Sequence, residues 1–534
     1  MTPYQPVEFT PSEAELLRPY FTNLTGPVFA VVNLPELVRA ALFARAAQTS
    51  LGVRQLFVKE FAGELDTSVD QHLDASETLD EGPQRYSRVF LDHGDDSVAQ
   101  LGGVHLVCEQ ATALMARAIW ASPNLTSVQS FGGDDVETRV SGRHRYFRDP
   151  AILGSSVGTK YIAGMDRIFG AYQDLVPAMI EFEKSEHPRL AASDFVHHQA
   201  VRRAAVRSVR GVLPNGALCS IGIFASAQAF EQLLLRLRAE PLPEARDYAM
   251  LMLSELRRVL PAFFERVDDE DRGGAWSHYL GETRQATTQI ARRLLPKVDL
   301  RGERSGDVEL RTFDPSAEAR VVAAMLQPVS TLPHSALTDA VAEMGIDDRL
   351  AVMRSYVGDR RNRRHLPGVA LTAANYRFDV VADCSTFADL QRFPGIEAVA
   401  QRPAPGLGFD MPDSIHRADM DEVFEDAVIL SEELYDLVVE EFPQQAPYTL
   451  SQANRLRFSL ALDARDAIAF LESATEAHQP CGVVRIAREV HRQIAEVAGH
   501  QAIAAMMRFV DHHGNQARFG SSAAPSPVGH PASG

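Results

Sequence analysis

The stretch HGDDSVAQLGGVHLVCEQATALMARAIWASPNLTSVQS, from His93 to Ser130, decides how the rest of the chain is read. From Ser97 to Trp120 its apolar residues Leu101, Val104, Cys108, Ala111 and Met115 return every three to four positions, and this spacing predicts one long amphipathic helix. Asp96 and Ser97 serve as caps at its start and Ser122-Pro123 as its stop. On such a helix His105, Cys108 and Glu109 fall at i, i+3 and i+4, a spacing that brings three metal-ligand types together. The same positions fit a packed cysteine beside a buried histidine, because the neighbouring residues are apolar. The adjacent pairs His197-His198 and His512-His513 do not face a common site. No metal site is assigned.

The helical pattern continues outward. Further helices are expected at 159–184, 224–239, 244–266, 316–327, 335–344, 419–441, 448–474 and 483–509. Strand-like runs are fewer, at Val28 to Asn33, Tyr86 to Leu91, Arg143 to Arg148 and Tyr376 to Val381. The expected class is α+β and helix-rich. At 534 residues, and about 150 residues per domain, the prior is three to four domains, which long helical domains reduce to two. The charged, loop-like run at 296–315 marks the boundary: one unit at 1–300, a second at 301–513, and a tail at 514–534 of Gly, Ala, Ser and Pro, expected to be disordered.

The two units carry related landmarks. His93 and His365, and Gln129 and Gln401, are each 272 residues apart, and both precede or follow an apolar stretch in the same order. Phe230-Glu231 and Phe470-Leu471-Glu472 suggest a third correspondence, at an offset of 240. The pattern is that of a tandem duplication.

Composition removes several classes of function. Lys+Arg total 53 against 71 Asp+Glu, a net charge of −18, which argues against a sequence-independent nucleic-acid binder. No run approaches the roughly 18 apolar residues that span a bilayer, so no membrane association is expected. Residues Met1 to Glu15 lack the pattern of a secretory signal, and four scattered cysteines indicate neither disulfides nor a zinc ribbon. A cytoplasmic protein is expected. GxxxxGK[ST], GxGxxG after a strand, GxSxG and HExxH are all absent, which removes the common nucleotide-hydrolase, dinucleotide-binding, serine-hydrolase and zinc-protease readings. Against the acidic total, basic residues cluster at 143–148, at 202–210 and, most densely, in Arg360-Arg-Asn-Arg-Arg-His365. Arginine offers bidentate geometry to phosphate and carboxylate, so the clusters read either as anion sites or as solvated faces.

The segment His93 to Ser130 resembles the flavin-dependent thymidylate synthases, and RHLPGVALTAANYRFDVVADCSTFADLQRFPGIEAVAQR (Arg364 to Arg402) is a fainter version of the same layout. Two later segments, SAQAFEQLLLRLRAEPLPEARDYAMLMLSELRRVLPAFF and DARDAIAFLESATEAHQPCGVVRIAREVHRQI, are similar to that family's closing helices, so the resemblance covers about two-thirds of the chain as two copies. It implies two tandem thymidylate-synthase-like folds, FAD and methylenetetrahydrofolate as cofactors, and a small anionic substrate such as dUMP. It also implies a site built between subunits, so that two duplicated chains would pair as a homodimer.

The departures are as informative. The family's flavin-holding Arg-His-Arg corresponds to Ala121-Ser122-Pro123 in the first copy and Arg392-Phe393-Pro394 in the second. Its Ser-x-Arg-Tyr end becomes Ser130-Phe131-Gly132-Gly133 and Arg402-Pro403-Ala404-Pro405. Each lost arginine–phosphate contact is worth roughly 1.5–3 kcal/mol, which argues against ordinary thymidylate synthesis. What remains assigns His93 and Glu109 to catalysis, Arg363, Arg364 and Arg392 to cofactor binding, and Ser97, Gln129, Ser130, Arg402 and Arg465 to substrate binding. Glu109, among apolar neighbours, must be paired, protonated or close to a cleft. His93, beside two Asp residues, is favoured in its charged form, unless it and Asp96 only cap a helix. Three functions stay open: a flavoenzyme with another substrate, in which the flavin carries the hydride; an inactive copy acting as a binding or assembly protein; and metal-assisted chemistry using His105 and Glu109.

Overall fold

The computed structural model describes residues 4–46, 49, 51–63, 99–122, 125–131, 145–187, 194–295, 307–476 and 478–512. In the first half, β1 (Val28–Val31), β2 (Gly103–Thr112), β3 (Leu125–Phe131) and β4 (Leu218–Ser226) form an antiparallel sheet of order β1-β2-β4-β3. In the second, β5 (Val308–Phe313), β6 (Asn375–Asp383), β7 (Glu397–Ala400) and β8 (Arg455–Asp463) repeat that order as β5-β6-β8-β7. The helices used below are α1 (Ala113–Trp120), α2 (Gly158–Glu186), α3 (Asp194–Val209), α4 (Ala227–Arg238), α5 (Pro243–Val259), α6 (Cys384–Leu390), α7 (Asp421–Val439), α8 (Ala464–Ala474) and α9 (Cys481–Glu496).

The long helix expected over Ser97 to Trp120 is not one helix. Residues 103–112 are β2, and only Ala113–Trp120 is helical. The cause is burial on both faces: Leu106 and Cys108 join the core under α1, α4 and α5, while Val107 packs against the N-terminal segment with Phe29 and Phe57. A strand covered on both sides loses its polar–apolar alternation, and its run of apolar residues reads like a buried helix. β8 alternates strictly and β4 in part; they merge with the helices after them, β4 with α4 (224–239) and β8 with α8 (448–474), because no turn residue separates strand from helix. Each of these strands turns directly into a helix at a capping residue. Thr112, Ser226, Asp383 and Asp463 accept from the backbone N–H groups of Met115, Ala229, Thr386 and Asp466 respectively. The helix expected at 483–509 breaks into Cys481–Glu496 and Gln501–Met506 at Gly499, whose φ of +73° is the left-handed conformation glycine permits. Of the expected strand 143–148, residues 145–148 are described and contribute a single bridge, Tyr146 to Ala217. Residues 86–91 lie outside the described residues.

The strands also fix how the halves correspond. Gly103 opens β2 opposite Ser226, and Asn375 opens β6 opposite Asp463, a spacing of 272 residues that the bulge between Cys108 and Ala111 reduces to 271 at Thr112 and Asp383. The capped helices, however, differ by 237 (Ser226 to Asp463) rather than 240, which places Phe230-Glu231 one helical turn away from the position of Phe470. Between the sheets a third core joins α2, α3 and α7, with Tyr161, Met165 and Ile168 against Phe424, Val428 and Leu434. A Cβ at Gly164 would approach Leu434 Cδ1 to 2.5 Å, so glycine sets the closeness of α2 to α7.

Beside that core two loops cross in a reciprocal pattern. Asn215 N donates to Leu450 O and Gln452 N to Leu213 O, both at 2.8 Å. Gly216 N donates to Tyr448 O and Ala453 N to Gly211 O, again at 2.8 Å. Every participant has its counterpart 237 residues away, so residue i meets j where i's counterpart meets j's counterpart. That is the signature of an isologous contact about a two-fold axis, here within one chain.

Candidate functional site at the seam between the halves

Among the described residues, those selected from sequence stand in separate surroundings. Glu109 stands on β2 and is 3% exposed. Its Oε2 accepts from Arg54 Nη2 at 2.9 Å and its Oε1 from Val53 N at 2.9 Å. Arg54, fully buried, also donates to Asn23 O, Gly26 O and the Tyr4 hydroxyl, and stacks 4.2 Å from the Phe29 ring. Of the three alternatives posed for this carboxylate, the structure gives the paired one, and its partner ties the N-terminal segment to the sheet. The His105–Cys108–Glu109 ligand set dissolves with the helix. His105 packs between Phe43 and Phe224 while Cys108 belongs to the core that includes Met115 and Ile221. His93 and Ser97 lie outside the described residues, as do the side chains of Gln129 and Ser130, whose backbones pair with Ile221 and Ser220 on β3.

The arginines are spread over separate surroundings. Arg363 Nη1 donates to Glu476 Oε1 at 2.7 Å, Arg392 Nη1 lies 3.8 Å from Asp389 Oδ1, and the Arg364 side chain is exposed. Arg465 Nε donates to Pro367 O, and Arg402 lies near Tyr435 and Arg292. Arg363 and Arg392 each already face a carboxylate, so with Arg364 they do not form a cradle for the pyrophosphate of FAD. The densest basic run serves the core instead. Arg360, 2% exposed, holds Glu472 through two bonds of 2.7 and 2.6 Å and donates to Met506 O. The basic cluster at 202–210 docks the halves together: Arg210, just past α3, bonds Asp389 and Ser385 O, and Arg207 bonds His478 O.

What the fold does bring together lies at the seam. A small crevice is lined by Ala113, Arg117 and Trp120 of α1, Cys384 and Ala388 of α6, and Asn215 and Gln452 of the crossing loops. It has room for about one water molecule. Its lining is paired across the two-fold relation: Ala113 with Cys384, Arg117 with Ala388, and Asn215 with Gln452. Three lining donors are buried without a partner, namely Arg117 Nη2, Trp120 Nε1 and Gln452 Nε2. Arg117 and Asn215 both reach the Cys384 thiol, which burial nevertheless pushes up.

One residue outside this lining on either side sits a buried acid. Glu244 of α5 accepts from Thr112 N, Thr112 Oγ1 and the Tyr448 hydroxyl at 2.9, 2.7 and 2.8 Å. Burial outweighs these bonds and pushes its carboxyl up to about 7. Asp383 caps α6, and burial, with Asp410 adding to it, raises its carboxyl too. Sequence reading passed over all of these residues, since single polar positions carry no motif. The one available signal was the match of Thr112 and Asp383 as capping residues at the ends of corresponding strands.

The fold and the seam define a helix-rich α+β protein whose two sheets of identical order meet about an internal two-fold relation. The chain belongs to the UPF0159 family. It is 30% identical over 485 residues to a UPF0159 protein of Chlamydia pneumoniae, covering 88% of this chain and 90% of that one. It is 28% identical over 517 residues to its counterpart in Chlamydia muridarum (95% and 96%), and 24% identical over 503 residues to one from Thermoplasma acidophilum (89% and 95%). No family model matches the sequence. Among solved structures, a UMP/dUMP methylase, PolB from Streptomyces cacaoi bound with 5-Br dUMP, is similar over 40% of this chain and 100% of its own, at 18% identity and a TM-score of 0.31. Among the described residues no helix is long and apolar enough to cross a membrane, and no group of His, Cys, Asp and Glu is arranged to hold a metal.

Proposed function

We propose that the chain is a diverged, two-copy relative of the flavin-dependent thymidylate synthases that binds a small anionic substrate of the nucleotide class between its halves. The observation that carries this reading is the reciprocal seam. In the resembling family the site forms between subunits, and here the loops at 211–216 and 448–453 meet as two subunits would, inside one chain. Arg117 puts positive charge at that seam in a protein of net charge −18. In this reading the chain's own residues supply binding and orientation of the nucleotide.

Isothermal titration with dUMP and UMP, alone and after addition of FAD, tests it. Saturable nucleotide binding at one site per chain is expected. Absence of binding by either nucleotide in both conditions would overturn the reading. A second reading, a binding or assembly protein without turnover, is favoured by one observation: Glu109, from the most family-like segment, is committed to a buried ion pair with Arg54. Nucleotide binding without turnover in the presence of FAD, a reductant and methylenetetrahydrofolate selects it.

A further inference from the structure

One helix of the first half keeps an apolar stripe toward solvent. Ala275–Leu294 runs for 20 residues, about 30 Å at 1.5 Å per residue. It meets the body of the protein along one line, where Ser277 is buried and Arg284 donates to Ala239 O and Glu240 Oε1. Beside that line Trp276, Leu280, Thr283, Thr287, Ile290 and Leu294 follow one another at steps of four, three, four, three and four. This is the heptad spacing with which one helix meets another along its length. Trp276, Ile290 and Leu294 are 49–67% exposed, so the stripe is open to solvent at both ends. The Thr283 and Thr287 hydroxyls donate to Tyr279 O and Thr283 O, so the polar atom of each is satisfied within the helix itself. Single exposed apolar residues are ordinary, but a continuous exposed stripe marks an interaction surface.

Charge selects the occupant. Glu282 and Arg293 are exposed and stand eleven residues apart, about three turns, on the same flank of the stripe. When two copies of the helix lie antiparallel with Trp276 opposite Leu294, Leu280 falls opposite Ile290 and Thr283 opposite Thr287. Each apolar position then meets an apolar one, and each threonine a threonine. The same register sets Glu282 on the flank that carries the partner's Arg293, about five residues or roughly 7.5 Å along the axis, a gap two long side chains span. A parallel pair would leave the two eleven residues, about 16 Å, apart. We propose that Ala275–Leu294 is a docking surface for the same helix of a second copy, the two packing antiparallel about a two-fold axis at Gln285. The contact is isologous, so every favourable pair occurs twice. None of these residues lines the seam between the halves, which makes this surface separate from the pairing within the chain.

Sedimentation velocity of the full chain, from micromolar to near-millimolar concentration, tests it. A shift from 58.7 kDa toward twice that mass is expected as concentration rises. I290D/L294D puts four carboxylates into the paired stripe and should leave a monomer throughout; both positions are exposed, so its melting temperature should match the parent's. E282R and R293E each convert two attractive contacts into like-charge ones and should weaken dimerisation about tenfold. E282R/R293E restores opposite charges between the copies and should return the affinity to within about threefold of the parent's. A dimer already complete at the lowest concentration upholds the proposal if I290D/L294D dissociates it. A parent that stays monomeric throughout would overturn the proposal and leave the stripe to another segment of this chain or to a different protein. So would a dimer that I290D/L294D leaves intact, or a doubly reversed variant weaker than either single one.

Discussion

Glu244 makes the stability of the seam depend on pH in a direction opposite to most paired carboxylates. Its carboxyl is fully enclosed, receives three hydrogen bonds from neutral donors, and has no cationic partner in contact. The groups that face it are Tyr448 and Thr112 in direct contact, with Asp149, Tyr161 and Tyr248 in electrostatic range. Burial raises it from 4.5 to about 7. The folded state therefore holds a proton that the unfolded chain releases above about 4.5, so stability is fully present below that pH and falls as pH rises toward 7. The difference of about 2.5 units, at 1.36 kcal/mol each, gives a loss of about 3 kcal/mol once the pH passes 7. His105 and His491, whose charged forms burial disfavours, act with the opposite sign below their unfolded value, and Asp383 acts with the same sign at lower pH. Replacing Glu244 with Gln isolates the one contribution. Its oxygen keeps the bond from Thr112 N, and its amide, in the place of Oε2, can donate to the Thr112 and Tyr448 hydroxyls. Urea midpoints of parent and E244Q, measured at pH 5, 6, 7 and 8, should diverge as pH rises, with the variant losing less stability than the parent. Parallel curves would refute the assignment.

Two other substitutions probe the framework. Glu109→Gln leaves Arg54 charged and buried, and removing one partner of a buried pair costs about 3–5 kcal/mol, so thermal melting should drop clearly; lost ligand binding at an unchanged melting temperature would return Glu109 to a functional role. Gly164→Val places a side chain where Leu434 already packs, an overpacking cost of about 1–3 kcal/mol at the α2–α7 contact, seen as a lower urea midpoint.

Long amphipathic helices were legible because one face alone is covered. The sequence spacing predicts helices at 159–184 and 419–441, and the chain forms them at 158–186 and 421–439. The central strands were not: β2 is buried nearly throughout, and both β2 and β4 run without a break into a capped helix. The two runs together are longer than any ordinary strand, and length is the usual arbiter for an unbroken apolar run. For the site, the demand that Glu109 find a partner followed from its neighbours, but Arg54 stands 55 residues earlier on a segment with no pattern to connect them. Arg360 shows the converse. Its place in a run of four arginines suggested an exposed anion site, whereas one member of the run is core and Arg361, Arg363 and Arg364 are at the surface.

The seam adds a point about how two similar halves come to differ. At the end of β2 the first turn of α1 needs an acceptor, because the opening N–H groups of a helix have no partner within it. Thr112 caps Met115 N, and Glu244, reaching over from α5, takes Thr112's own N–H and hydroxyl. At the end of β6 the same need is met from the other direction. Asp383 caps Thr386 N and receives the Thr386 hydroxyl, and the start of α9 carries Gly482, whose missing Cβ leaves space for Thr386 Oγ1. Each junction thus holds one buried carboxylate near its helix start, supplied by the following helix in one half and by the strand end in the other. A carboxylate at both positions of one junction would set two like charges side by side in a medium that solvates neither. Gly482→Glu imposes that arrangement in the second half, where the side chain would collide with Thr386 and face Asp383. The two halves have solved one backbone problem with different residues. Side chains along the seam differ in the same way, with Arg117 on one side reaching Cys384 on the other despite the two-fold backbone.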